Sequence, residues 1–482
     1  MKVAVLNPES KFAKNVVRDV IYGCWCKGKR IGGGSLPPLG LLMVASILKD
    51  RGHCVRFLDV SAEGRNIGRI TEIINDYQAV IILTSTMTIN EDARALARLK
   101  EIRPALITIV FGSHPTFRPK DTLGKAGIDI IITGEPEFIA ADLLAALERG
   151  DDSWRKIKGI GYKQDGEYKI NQGYPLIENL DELPFVDRSM LPKGPDYFNP
   201  IIKQRPYTAM ITSRGCFGQC TYCTVPFFYG ARLRYRSTQN VIEELKNIRQ
   251  EGYREVYFRD ETFAFSRERV RQICCGMIDS KINISWICNA RVGILDQDTI
   301  RLMKIAGCHL IKFGVESGVQ EILDRVKKGI SISQTRQAFL WAKAEGVDTH
   351  AHIMLGMPGE SKETIEETIK FIGEISPTTA SYGICTPYPG SLLFKEVESR
   401  HPEIKDGSAV DLSTLHTRCF FNECFTSLNH RQLEKSLRRA YRSFYMKLPY
   451  ILSSLKRIRN IGDLKRYFLA GLKIFDFSLR GE

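Results

Sequence analysis

Along the first 150 residues, short apolar runs alternate with longer stretches in which apolar positions recur every three or four residues. The runs, at 2–6, 53–60, 79–84, 106–111 and 128–133, read as buried strands. The stretches between and after them, 38–50, 65–75, 91–101, 119–126 and 136–148, carry the helical period. Strands apolar on both faces and separated by helices predict a parallel, doubly wound α/β sheet. Ligands of such sheets lie beyond the carboxyl ends of the strands. The loops there are small, polar and mostly glycine-bearing, which lets a large ligand approach the backbone. Their candidate contacts are Asp59, Ser61, Gly64, Ser85, Gly112, Gly134 and Glu135.

Residues 151–205 read as a connector, with Asp165-Gly166 turning a hairpin between 159–163 and 168–171. The alternation then resumes. Strand patterns at 207–212, 255–259, 284–288, 310–315, 350–355 and 381–385 are nearly all followed by helical ones. Six such units predict an open, six-stranded relative of the (β/α) barrel, with reactive groups at the carboxyl ends of its strands. Residues 396–482 lack a comparable strand pattern, and 431–446 and 452–474 read as basic, aromatic-rich helices. The expected domains are therefore 1–150, a linker at 151–205, 206–395 and a helical region at 396–482.

With 482 residues, 43% hydrophobic and 26% charged, the chain is an ordinary globular one with room for two or three cores. No apolar run is long enough to span a bilayer, and Met1-Lys2-Val3-Ala4 does not open a secretory leader. The expected location is the cytoplasm. Thirteen cysteines, an odd number mostly in apolar segments, argue against a disulfide framework. The net charge of +14 is uneven, since residues 431–482 hold thirteen Lys or Arg against four Asp or Glu. These cations interleave with Tyr441, Phe444, Tyr445, Tyr450, Ile451, Leu452, Tyr467, Phe468, Leu472 and Phe475, a pattern that fits peripheral contact with an anionic membrane. No nucleic-acid-binding fold is recognisable.

Three thiols have ligand spacing. Cys216, Cys220 and Cys223 form C-x3-C-x2-C in the loop after the strand pattern at 207–212. Such a loop can hold three irons of an iron–sulfur cube and leave the fourth open for chemistry. Zinc would want a fourth ligand, and the nearest histidines are His114 and His309. Incidental cysteines are the remaining reading, and the position at a barrel mouth favours the cluster. Three smaller features read blandly. Cys24-Trp25-Cys26 lacks a partner pair, Gly32-Gly33-Gly34 is followed by no phosphate-loop Lys-Ser/Thr, and His350 and His352 share a strand face as core or lumen residues without a metal.

Cys216-x3-Cys220-x-Tyr222-Cys223 resembles the radical S-adenosylmethionine (SAM) loop. Further motifs follow in order after the later strands: Arg259-Asp260-Glu261, Asn289-Ala290-Arg291, Gly314-Val315-Glu316-Ser317-Gly318, Gly356-Met357-Pro358-Gly359-Glu360 and Pro387-Tyr388-Pro389-Gly390. With the front domain, the chain resembles the cobalamin-binding-domain radical SAM enzymes, which include methylases of unactivated carbon, hopanoid-pathway enzymes and the anaerobic magnesium-protoporphyrin ester cyclase. The resemblance implies a [4Fe–4S] cluster on the three cysteines and SAM on its open iron. Tyr222 would contact adenine through its backbone. The Arg259, Asp260, Glu261 turn would meet the SAM amino end, Arg291 its carboxylate and Glu316 its ribose. Cobalamin is implied on the front domain. The family's D-x-H-x-x-G pattern stands nearest to Asp59-x-Ser61-x-x-Gly64, so the cobalt would have no histidine from this loop, or the front domain would have lost cobalamin and only support the barrel. The implied function is methyl transfer to an unactivated carbon of a hydrophobic or lipid-like substrate through a 5′-deoxyadenosyl radical, with a reductant such as flavodoxin. A radical cyclase or rearrangement enzyme is the second reading, and a non-catalytic iron–sulfur electron carrier the third.

Overall fold

The computed structural model describes residues 1–10, 34–64, 74–195, 197–407, 411–412, 421–458 and 460–480. Cys24, Cys26, Gly32, Gly33 and most of the helix predicted at 65–75 lie outside the described residues.

The front sheet has seven strands: β1 Lys2–Asn7, β2 Cys54–Asp59, β3 Ala79–Thr84, β4 Ile107–Gly112, β5 Ile130–Ile132, β6 Ile160–Gln164 and β7 Glu167–Ile170. Their order is β2-β1-β3-β4-β5-β6-β7, and the first five are mutually parallel. Alternate residues of each strand enter different cores. Val3, Val5, Ile81 and Phe111 pack under the helices Leu39–Asp50 and Pro136–Arg149. Leu6, Val80, Ile82 and Val110 pack under Ile89–Ile102 on the other face. The hairpin read as part of a connector is the antiparallel end of this sheet instead, because β6 pairs with β5. The strand expected over 53–60 stops at Asp59. There the carboxylate accepts from Ala62 N at 3.1 Å and caps a helical turn, Val60–Glu63, that Gly64 ends in the left-handed region.

The second sheet is wholly parallel, in the order β15-β14-β13-β12-β11-β8. Its strands are β8 Tyr207–Met210, β11 Glu255–Phe258, β12 Ser285–Ala290, β13 Cys308–Glu316, β14 Asp348–Leu355 and β15 Thr379–Ile384. Between β8 and β11, the short pair β9 Ser213–Arg214 and β10 Arg234–Tyr235 is antiparallel. Val256, Phe258, Trp286, Phe313 and Ala351 bury one face against helices. On the other, Tyr207, Tyr257, Ile287 and Leu310 form an apolar floor with Leu36 and Ile202. Above that floor, Asn289, Lys312, His350 and Thr379 stand in register across four neighbouring strands.

The tail divides differently from expectation. The stretch 452–474 is two helices, Leu448–Lys456 and Ile461–Arg480, because Asn460 Oδ1 accepts from Asp463 N at 2.8 Å and starts a new helix. Its aromatics also divide. Tyr441, Phe444 and Tyr445, on the helix His430–Tyr445, pack into the core against β15. Tyr445 Oη accepts from Ala380 N at 3.0 Å and donates to Ala380 O at 2.5 Å. Tyr441 Oη does the same at Tyr382, with both distances 3.2 Å. Ile451, Leu452, Phe468, Leu472 and Phe475 remain exposed. Among the described residues, every cysteine is a free thiol and no helix is long and apolar enough to cross a membrane.

Candidate functional site

The cysteine loop leaves the carboxyl end of β8 and is fastened before it begins. Asp260, at the end of β11, accepts from Thr212 N at 2.6 Å, Thr212 Oγ1 at 2.5 Å and Ser213 Oγ at 2.8 Å. Burial pushes this carboxyl up, against the pull of those donors. Gly215 must be glycine: its φ is +94°, and a Cβ would stand 2.2 Å from Arg232 O. Glu261 accepts from Gly215 N at 3.2 Å. Of the turn expected to meet a ligand, Asp260 and Glu261 thus hold the loop, while Arg259 is buried over the Tyr257 ring.

Gly218 sits between two of the thiols. Its N–H donates to Cys216 Sγ at 3.3 Å, and a Cβ there would be 3.3 Å from Cys216 Sγ and 3.7 Å from Cys220 Sγ. Burial pushes the Cys223 thiol up to about 12, further raised by its two sister thiols. A thiol so buried becomes a thiolate beside cationic metal, which deprotonates a coordinating thiol outright. Among the described residues no three His, Cys, Asp or Glu side chains converge on a single-ion site, the geometry zinc needs. Thiolates that each take a different iron of a cube need no such convergence. The three cysteines therefore fit the cluster.

Beside them, Glu316 ends β13 in the left-handed region, with φ 65°, where a non-glycine residue is strained. Its Oε1 accepts from Lys328 Nζ at 2.7 Å. Its Oε2 is buried and has no hydrogen-bond partner. Lys328 Nζ also reaches Tyr222 Oη at 3.4 Å, and burial opposes its charge while Glu316 raises it above its usual value. Arg291 donates to Lys328 O and to Gly329 O and lies over the Phe217 ring, tying the tip of the cysteine loop to the 328–329 turn. Met357 and Cys385 form an apolar wall that Tyr222 packs against. An orphaned buried carboxylate oxygen, held strained beside a cation, fits a ligand hydroxyl.

The front domain's loops face this mouth. Met87, after β3, meets Tyr388 Oη at 3.8 Å, and Arg118 pairs with Glu398 at 2.5 Å. Gly112 is positioned by the chain itself, with φ +126° and Thr84 O 2.2 Å from where a Cβ would be. Gly134 likewise leaves room for the Tyr174 ring. Ser85 N donates to Thr88 Oγ1 at 3.2 Å, and the buried His114 bridges Thr86 and Asp121. Glu135, expected to touch a cofactor, does something else. It accepts from Arg214 at 2.8 Å, Arg234 at 2.7 Å and Ile177 N at 2.6 Å, and Glu137 accepts from Arg214 at 2.6 Å. This buried quartet joins the front sheet to the strand that precedes Cys216. Asp59, Ser61 and Ala62 line a separate cavity with no residue of the cysteine loop among its described walls.

Sequence reasoning missed Lys328, which follows a short helix rather than a strand, and the partners of Glu135, 79 and 99 positions away. Arg214 stands two residues before Cys216, just outside the C-x3-C-x2-C spacing that marked the loop.

The Radical SAM superfamily matches residues 210–372, and the B12 binding domain matches residues 32–144. An uncharacterized methyltransferase of Pyrococcus horikoshii is 31% identical over 89% of this chain and 92% of its own length. The chain belongs to the cobalamin-dependent radical SAM enzymes. The anaerobic magnesium-protoporphyrin IX monomethyl ester cyclase of Rubrivivax gelatinosus is 26% identical over 93% of this chain and 82% of its own. The fold is that of the radical SAM methyltransferase TsrM from Kitasatospora setae, with a TM-score of 0.68 at 16% identity over 84% of this chain and 77% of that one. The protein is thus an enzyme with a [4Fe–4S] cluster, SAM and cobalamin as cofactors, and its reaction needs a reductant and a small-molecule substrate.

Proposed function

We propose that this enzyme methylates an unactivated carbon of an amphiphilic small molecule held inside the six-stranded half-barrel. The observation that carries the reading is the three-thiol loop at the mouth of that half-barrel, facing the carboxyl edge of the front sheet. When bound, the cluster and SAM supply radical chemistry and cobalamin the methyl group. Cys216, Cys220 and Cys223 would hold the cluster, Glu316 the SAM ribose and Arg291 the SAM carboxylate. Ser85 and Gly112 would stand against cobalamin. The polar row supports an amphiphilic member of the expected hydrophobic or lipid-like class. Lys312 donates to Tyr257 Oη, and His350 shares Ser381 Oγ (3.0 Å) with His352 (2.8 Å). Burial and the Lys312 charge hold His350 well below its usual range, so it is a neutral donor–acceptor above an apolar floor.

The exposed residues of the last two helices support peripheral binding to an anionic membrane. Leu448, Ile451, Leu452 and Leu455 follow the helical period, as do Ile461, Leu464, Phe468, Leu472 and Phe475, with Lys456, Lys465 and Lys473 alongside. A small electron-transfer protein such as flavodoxin is the proposed reductant.

Reconstituted protein incubated with SAM and dithionite tests the reaction. Formation of both 5′-deoxyadenosine and S-adenosylhomocysteine is expected. Deoxyadenosine alone would favour the cyclase reading, which the likeness to the Rubrivivax gelatinosus enzyme keeps in view. Neither product would end both.

A further inference from the structure

An open cavity of about 670 Å³ lies at the carboxyl ends of β1 and β2, bordered by the linker around Tyr197 and by the helix Ile461–Arg480. That volume suits a drug-sized ligand. It is separate from the cluster loop: Leu36 and Ile202 line it and also belong to the apolar floor at the opposite end of the half-barrel. Among the described lining residues, Lys203, Arg205, Lys465, Arg466 and Lys473 stand against two carboxylates, Asp59 and Asp463. Both carboxylates are engaged. Asp59 accepts from Asn7 at 2.7 Å and from Tyr197 Oη at 2.8 Å, and Asp463 pairs with Arg466 at 2.7 Å. Lys203 in turn pairs with Asp348 at 2.5 Å.

Arg466 is the informative residue. It is 8% exposed, donates to Ile202 O at 2.9 Å, and leaves its Nε–H buried without a partner. A buried guanidinium with a spare donor is costly unless a ligand completes it. The apolar side of the wall is as definite: Leu36, Leu469 and the Phe198 ring, over which Arg205 stands at 5.4 Å. The same helix that lines the cavity with Arg466, Leu469 and Lys473 presents Phe468, Leu472 and Phe475 to the outside.

We propose that this cavity binds an anionic amphiphile, a phosphate or carboxylate on an apolar body, at a site distinct from the cluster and SAM. Cations around a low-dielectric pocket concentrate an anion, and the aromatic and aliphatic wall takes what it is attached to.

Isothermal titration of the full-length protein with monomeric decyl phosphate is the test. Saturable binding is expected, weakened about tenfold or more by Arg466→Gln and by the pair Lys465→Glu and Lys473→Glu, the loss of one or two charge-assisted contacts. Both lysines are exposed, so that double variant should keep the wild-type unfolding temperature and iron content even if Arg466→Gln does not fold. Two competitors separate the sources of the anion. Displacement by inorganic phosphate assigns the site to a soluble phosphorylated molecule. Displacement only by phosphatidylcholine vesicles containing phosphatidylglycerol assigns it to a lipid headgroup. Either supports the proposal. Absence of saturable binding, or equal affinity in wild type and the lysine double variant, overturns it.

Discussion

At the scale of single residues, Glu316 and Glu360 make opposite demands on their surroundings. Glu316 needs a partner for Oε2, so Glu316→Gln should leave iron content unchanged and weaken SAM binding about tenfold, read by equilibrium dialysis. Glu360 organises the loop after β14 by accepting from Gly356 N and from Met357 N (3.0 Å), and burial pushes its carboxyl up to about 8. Since the folded state binds this proton more tightly than the unfolded chain, its stabilising share is complete below 4.5 and is lost as pH rises through 8. Denaturant melts between those limits should show wild type losing about 3–5 kcal/mol relative to Glu360→Gln. At this scale the cysteines were legible because a metal loop keeps its ligands close in sequence. Lys328 and the spare oxygen of Glu316 were not, because their meaning is a spatial relation between β13 and a turn twelve residues later.

Among the elements, the junction between the two sheets rests on charge that neither periodicity nor composition reveals. Arg214 precedes the cysteine loop, and Glu135 and Glu137 follow β5. Burial opposes ionisation of Glu135, but Arg214 and Arg234 outweigh it and hold the carboxyl below its ordinary range. A depressed carboxyl contributes stability above its unfolded value and loses it as pH falls through the lowered folded one, so acid should loosen this junction only below the ordinary carboxylate range. Breaking a buried pair from one side costs about 3–5 kcal/mol. Glu135→Gln should therefore lower the unfolding midpoint and impair cluster reconstitution at the neighbouring loop, followed by absorbance near the iron–sulfur bands. The strands themselves were almost fully legible, because buried parallel strands are continuous apolar runs. The hairpin's place in the sheet was not, since pairing with β5 is a long-range choice. Nor could Glu135 be told from a ligand contact, as a glycine-flanked carboxylate after a strand serves either role.

For the molecule as a whole, the tail that carries the charge asymmetry also carries the exposed stripe. Phe468→Glu together with Leu472→Glu should abolish sedimentation with phosphatidylglycerol vesicles while leaving SAM cleavage intact. Removing residues 431–482 outright would not be a clean version of that experiment, because Tyr441, Phe444 and Tyr445 are core residues of the half-barrel. The sequence showed a basic, aromatic tail. It did not show which aromatics face inward, because adjacent helical positions such as Phe444 and Tyr445 both find partners there.

A half-barrel has two free margins, and the one at β15 would be a template for foreign strands. The Tyr441 and Tyr445 hydroxyls answer the backbone of Tyr382 and Ala380 with a donor and an acceptor each, as a neighbouring strand would. Two phenols thus imitate a seventh strand. Until the helix that carries them has emerged from the ribosome that margin is bare, so the nascent chain passes through an interval in which a half-barrel still short of its core offers an open strand edge.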